Sequence, residues 1–442
     1  MNIQLSDHFT YKKLFRFTLP SIVMMIFTSI YGVVDGYFVS NFVGKTPFAA
    51  VNFIMPFLMI LGAVGFMFGT GGSALISKTM GEGRPEKARQ LFSMLVYLSL
   101  FSGVVITVLG LLFLRPVAAM LGAEGEMLEN CVSYGRIILI ALPAFMLQME
   151  FQSFFITAEK PQLGLAVTVA AGVTNMVLDA VFVAVFRWGL VGAAAATAMS
   201  QVVGGIVPLF YFFRPNSSSL RLTKTRFDGK ALLRTCTNGS SELMSNISMS
   251  LVGMLYNAQL IKYAGEDGVA AYGVLMYVSM IFLAVFLGYA IGTAPVIGFH
   301  YGAENHQELK SLLKKSLVII GGVSVGMVVL SELLAYPLSK IFVGYDAELL
   351  DLTLRGFLVY SFGFLFSGGS IFGSSFFTAL NNGLISALIS FLRTLVFQVA
   401  TVLLLPLFWG IDGIWISIVV AELLSFLVTV LFLLAKRAKY HY

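Results

Sequence analysis

Asn175 and Asp179 stand four residues apart inside an apolar run from about Leu163 to Phe186. On a helix that spacing stacks both side chains on one face. The run is long enough to cross a bilayer, so a carboxamide and a carboxylate meet near membrane mid-depth. An ionisable group is expensive to hold there and by default marks an ion or substrate pathway. Asp35 repeats the oddity in the first apolar run, four residues beyond Tyr31. Each carboxyl can carry a proton, and two placed together would share protons as one unit. For Na⁺, Asn175 and Thr197 would add hard oxygen ligands to Asp35 and Asp179. The plainer alternative is a hydrogen bond between buried polar groups of adjacent helices.

Other polar residues in apolar runs are candidates for a path taken by a cationic compound: Glu242, Glu150 and Gln148. Glu242 could equally cap the inner end of its helix, where the dipole favours an acid. Methionines recur at helical spacing, Met55 and Met280 among them, and their soft thioethers suit a promiscuous lining as well as ordinary packing. Pro20 removes a backbone hydrogen bond and can hinge the first helix, unless it sits in the first turn, where it costs nothing. Arg393 reads as structural, neutralising Glu422 or a helix end.

These groups need elements that hold them in oil, and the composition provides them. Of 442 residues 58% are hydrophobic and 11% charged, against about 25% charged in soluble domains. The expected class is an all-α polytopic membrane protein. Apolar runs fall at about 17–40, 48–77, 91–114, 132–156, 163–186 and 190–213, then at 236–261, 270–299, 316–336, 353–378, 385–408 and 413–435, giving twelve transmembrane helices. The stretch 214–235 is long, polar and basic, and separates an N-terminal lobe (1–213) from a C-terminal lobe (236–442). With both termini in the cytoplasm, Lys and Arg concentrate in the inner loops and the linker, whereas Glu124, Glu126, Glu129, Asp346 and Glu348 fall outside. That bias sets the orientation. The net charge of +6 therefore reflects loop topology and not nucleic-acid binding. Cys131 and Cys236 fall near opposite faces and offer no disulfide and no metal site.

An offset of 221 residues, half the chain, superimposes the two hydropathy cycles without a gap. Gly44 meets Gly265, Gly71 meets Gly292, Gly81 meets Gly302, Pro116 meets Pro337 and Trp188-Gly189 meets Trp409-Gly410. Six spans per half is an even number, so both halves enter the membrane the same way. Two pseudo-symmetric six-helix bundles with a path between them are expected. The acids break the symmetry: Asp35 maps onto Tyr256, Asn175 onto Val396, Asp179 onto Ala400 and Thr197 onto Ile418.

The motifs resemble one family over essentially all twelve spans. They are Leu19-Pro20 with Tyr31 and Asp35, Gly44 with Ala49-Ala50, Asn175-x-x-x-Asp179, Thr197, Gly298-x-x-Tyr301-Gly302-Ala303-x-Asn305, Arg393-Thr394 and Trp409-Gly410-x-x-Gly413-x-Trp415. The chain is similar in these to the multidrug and toxic compound extrusion (MATE) transporters. The resemblance implies a monomeric, alternating-access exporter in a bacterial-type plasma membrane, exchanging H⁺ or Na⁺ for cationic amphipathic drugs, with no cofactor and only membrane lipids as further partners. It also implies an amino-lobe ion site at Tyr31, Asp35, Asn175, Asp179 and Thr197, and a bendable first helix carrying Pro20. Members with a carboxy-lobe site place an acid midway along helix 7. Here Glu242 comes about two turns earlier. A flippase for lipids or lipid-linked saccharides would share this architecture but needs a basic cavity. No nucleophile–base pair and no nucleotide motif appears, so an enzyme is not expected.

Overall fold

The structure, a computed structural model, describes residues 2–442. Twelve helical spans follow one another. The first half holds α1 (Tyr11–Val43), α2 (Lys45–Gly81), α3 (Pro85–Met120), α4 (Gly125–Ile140 with Leu142–Thr157), α5 (Pro161–Val185) and α6 (Leu190–Phe213). The second holds α7 (229–264), α8 (266–302), α9 (His306–Val343), α10 (Ala347–Ala379), α11 (Gly383–Trp409) and α12 (Ile411–Ala435). α4 is bent by 57° between Ile140 and Leu142, where Pro143 in the first turn of the second segment cannot continue the hydrogen-bond ladder. α7 and α8 share one hydrogen-bonded run, Gly229–Gly302, that turns at Gly265 with φ 66° and ψ −151°. That left-handed conformation suits glycine, and its repeat partner Gly44 also has positive φ, 124°.

The repeat is visible in where helices begin. Starts at Lys45, Pro85 and Leu190 recur 221 residues later at residue 266, His306 and Ile411. The fold is therefore two six-helix bundles of like topology. Several helices extend beyond the apolar runs of the sequence reading, α9 by ten residues at its start. α7 begins at Gly229 and not near 236, because Asp228 caps it by accepting the Ala231 N–H at 3.2 Å. An apolarity criterion misses that polar first turn. The preceding segment is tied along α3: Thr223 N–H donates to Ser93 Oγ at 2.8 Å and Thr225 Oγ1 donates to the Gln90 carbonyl at 2.8 Å.

The bundles meet backbone to backbone at glycines. A Cβ at Gly71 would lie 2.0 Å from Thr235 O, one at Gly239 2.0 Å from Met67 O, one at Gly81 2.0 Å from Phe299 O and one at Gly302 2.1 Å from Lys78 O. Gly288 of α8 lies against Ser21 and Ile22 of α1, beside Pro20. All these contacts lie in the halves of α1, α2, α7 and α8 nearest the basic loops. Towards the opposite face Gly32, Gly253 and Gly273 have open space around them. Small residues let membrane helices approach this closely, so the bundles are sealed on the basic face.

The N-terminal segment straps that sealed face. Leu5 and Phe9 are fully buried. Leu5 N–H donates to Glu159 Oε1 of the first bundle at 3.2 Å. His8 Nδ1 lies 2.6 Å from Glu308 Oε2 of the second, Phe9 N–H donates to Glu308 Oε1 at 2.9 Å, and Lys315 Nζ donates to the Phe9 carbonyl at 2.5 Å.

Candidate ion site

Three helices of the first bundle converge on the predicted cluster. α1 carries Tyr31 and Asp35, α5 carries Asn175 and Asp179, and α6 carries Thr197. Their approach depends on Gly172, one turn before Asn175. A Cβ there would lie 2.3 Å from Phe27 Cε1 and 3.0 Å from Tyr31 Cδ1, so only glycine admits the α1 rings against α5. Each acid is followed by a widened, π-helical turn, Val39–Val43 after Asp35 and Ala180–Val185 directly after Asp179. Such turns free backbone groups and re-aim side chains, often at functional sites.

Asp179 is fully buried and Asn175 nearly so. The Asp35 carboxyl faces that of Asp179 and the Thr197 hydroxyl. Asn175 Nδ2 donates to Thr197 Oγ1 and to Ser200 Oγ, both at 3.4 Å. Ser200 is in turn fixed by donating to the Thr197 carbonyl at 2.8 Å. Both carboxylate oxygens of Asp179, Oδ1 of Asp35 and Oδ1 of Asn175 are buried without a hydrogen-bond partner among the described residues. Buried polar atoms are nearly always satisfied, so this concentration of acceptors in one place is unusual. Two facing carboxyls and a carboxamide oxygen can be satisfied by a proton shared between the acids or by a small hard cation among the oxygens. The residues fit either.

The structure distributes the other predicted residues differently. Gln148 lies inside the first bundle, against Gly204 and the Tyr31 hydroxyl, next to the ion cluster. Glu150 is fully buried, its Cα 3.1 Å from where a Cβ on Gly69 would sit and its side chain towards Ser99, and neither carboxylate oxygen has a partner among the described residues. Glu242 is half-buried more than three turns into α7. It is not the helix cap, a role Asp228 holds. Met55 Sδ accepts from the Tyr134 hydroxyl at 3.9 Å. Met280 of α8 is exposed. Pro20 lies inside α1, which begins at Tyr11, so the first-turn alternative does not apply.

Two residues at the cluster escaped the sequence reading. Tyr134 of α4 is buried with its hydroxyl towards Thr197, near both acids, and Ser200 takes the second Asn175 hydrogen bond. Ser200 lies three residues after Thr197, on the same helix face, and that spacing was a usable signal. Tyr134 gave none, because an aromatic in an apolar run looks like packing.

In the second bundle the equivalent place holds no acid. Tyr256 is fully buried, its hydroxyl 3.1 Å from Ser417 Oγ and its ring stacked on Tyr272 at 5.4 Å. The charges here are Arg393 and Glu422, joined by two hydrogen bonds of 3.0 and 3.1 Å, as the sequence suggested for Arg393.

Comparison with known proteins agrees with this architecture. The MatE family model matches the chain twice, over residues 20–181 and 243–404. Curated relatives include the multidrug export protein MepA of Staphylococcus saprophyticus, 25% identical over 81% of this chain and 80% of that protein. MepA of Staphylococcus aureus strain MRSA252 is 24% identical over 95% of this chain and 93% of that protein. Among solved structures, an outward-facing multidrug resistance MATE family transporter of the MOP superfamily superimposes with a TM-score of 0.94 at 24% identity, over 100% of this chain and 98% of that one. A MOP superfamily transporter from Pyrococcus furiosus, described as having a binding pocket of reverse polarity, superimposes with a TM-score of 0.91 at 24% identity, over 98% of both chains.

Proposed function

Because the chain belongs to the MatE family, we propose that it is a secondary active multidrug exporter, exchanging H⁺ or Na⁺ for cationic amphipathic compounds by alternating access. The observation that carries this reading is the pair Asp35 and Asp179, facing each other in a buried site with no cationic partner among the described residues. Loading the site from outside neutralises the pair and changes what α1 and α5 can pack against. To swing a two-state equilibrium from 1:99 to 99:1, the ion must favour one state by about 5.5 kcal/mol. Pro20, beside the α8 glycines at the seal, is where α1 can bend as that balance shifts. Gln148 relays the state of the acids through Tyr31, while Glu242, Met55 and Met280 belong to the drug's path between the bundles.

The protein works as a monomer in a bacterial plasma membrane, with its termini and the basic face in the cytoplasm. The loop charge bias supports that orientation. The bonding of Arg393 by Glu422 counts against a lipid-saccharide flippase, since it removes the basic residue such a cavity would use. The test is dye-cation uptake by everted vesicles under H⁺ and Na⁺ gradients imposed separately. One gradient should drive uptake, and Asp179→Asn should abolish it with the protein still inserted. Native-rate uptake by Asp179→Asn overturns the ion-site reading.

A further inference from the structure

A concave groove of about 1290 Å³ opens on the basic face, between the start of α3 and the segment leading into α7. Its walls carry Lys87, Lys224, Arg226 and Lys230, all exposed, and none is in an ion pair among the described residues. Asp228 is the acid in the lining, and its carboxylate is engaged in capping α7. Leu91 and Met94 form a buried apolar floor. Phe227 and Leu233 stand at the rim, 69% and 70% exposed, an unfavourable position for large apolar groups in water. The groove is preformed, because Thr223, Thr225 and Asp228 are hydrogen-bonded to Ser93, Gln90 and Met94 of α3. Two membrane spans, α3 and α7, begin at this level, which places the groove at headgroup depth.

We propose that this groove binds the headgroup of an anionic phospholipid, its phosphodiesters among the four cations and its acyl chains along Phe227 and Leu233. Cations clustered at the cytoplasmic end of transmembrane helices favour anionic lipid. Four of them in one groove match a lipid with two phosphodiesters, of the cardiolipin type, better than one with a single phosphate. The inference uses the membrane embedding of the chain and not the ion site, so it stands or falls separately from the transport reading.

Lipid binding to the full-length protein in detergent micelles tests it, using native mass spectrometry and fluorescence titration with tetraoleoyl cardiolipin, phosphatidylglycerol and phosphatidylcholine. Cardiolipin should bind most tightly and phosphatidylcholine least, with affinity falling as salt rises. The exposed variant Lys87→Gln/Lys224→Gln/Arg226→Gln/Lys230→Gln should lose about tenfold or more for cardiolipin and nothing for phosphatidylcholine, the latter also reporting an intact fold. Phe227→Ser/Leu233→Ser should weaken cardiolipin binding and leave soluble glycerol phosphate unaffected. Undiminished cardiolipin binding by the fourfold variant overturns the proposal. So does phosphatidylcholine binding as tightly as cardiolipin, or glycerol phosphate competing at the same concentration as lipid, which would mark a site for soluble phosphate.

Discussion

The two bundles share a topology and treat buried charge in opposite ways. The first leaves Asp35 and Asp179 facing each other with no cation to pair with among the described residues, whereas the second places phenol and hydroxyl at the equivalent point and binds the buried acid Glu422 to Arg393. Shifting by 221 residues sharpens the contrast, since Arg393 corresponds to Gly172 and Glu422 to Gln201. Where the second bundle needs the Arg393 side chain, the first needs none at all, so that α1 can approach α5. A self-neutralised pair has no use for an ion. On the proposed reading an unneutralised pair does, and the same scaffold then serves as a fixed frame on one side and a switch on the other.

This contrast can be broken by experiment, and the largest effect should come from the acids. Asp179→Asn should reduce gradient-driven efflux to background, while Tyr256→Phe, losing one hydrogen bond worth about 1 kcal/mol, should retain most of it. Equal losses in vesicle transport would mean that the bundles do not differ in role. Next comes the ion pair. Arg393→Met leaves Glu422 buried and unpaired, a loss of about 3–5 kcal/mol that should show as early thermal unfolding in detergent. Arg393→Met/Glu422→Met should recover most of that stability, and failure to recover would give the pair a role beyond neutralisation.

Gly172→Val tests the approach of α1 to α5 without touching an acid. Its side chain collides with Phe27 and Tyr31, and overpacking of this kind costs about 1–3 kcal/mol. Transport should need a steeper gradient, read as the driving force for half-maximal dye uptake. The smallest effect belongs to the strap. Glu308→Ala removes both acceptors for His8 and Phe9, a loss of about 1–3 kcal/mol. It should raise the fraction of molecules opened at the basic face, measured by spin-label distances between α2 and α8.

Much of this was legible in the chain. Twelve spans, the repeat and the confinement of Asp35, Asn175, Asp179 and Thr197 to one half follow from hydropathy and from polar residues that oil does not tolerate. The joining of Asn175 to Thr197 was readable because helical spacing and an energetic penalty both pointed at them. The start of α7 was not readable from apolarity, since a capped polar turn carries no hydrophobic signal. Glu150 and Gln148 looked alike as buried polar residues two positions apart, yet they project from α4 in different directions, one towards Ser99 and the other towards Tyr31.

What the sequence determined by itself is the class of solvent each segment occupies and the positions at which a polar group is placed in that solvent. These are one-dimensional properties, written in transfer free energies and in the period of the helix. Only the tertiary structure decided which carboxyl meets which, that Tyr134 joins them, and that the bundles close at Gly71, Gly81, Gly239 and Gly302. Contacts between spans depend on how far apart two backbones settle, and that distance is set by packing across the whole bundle.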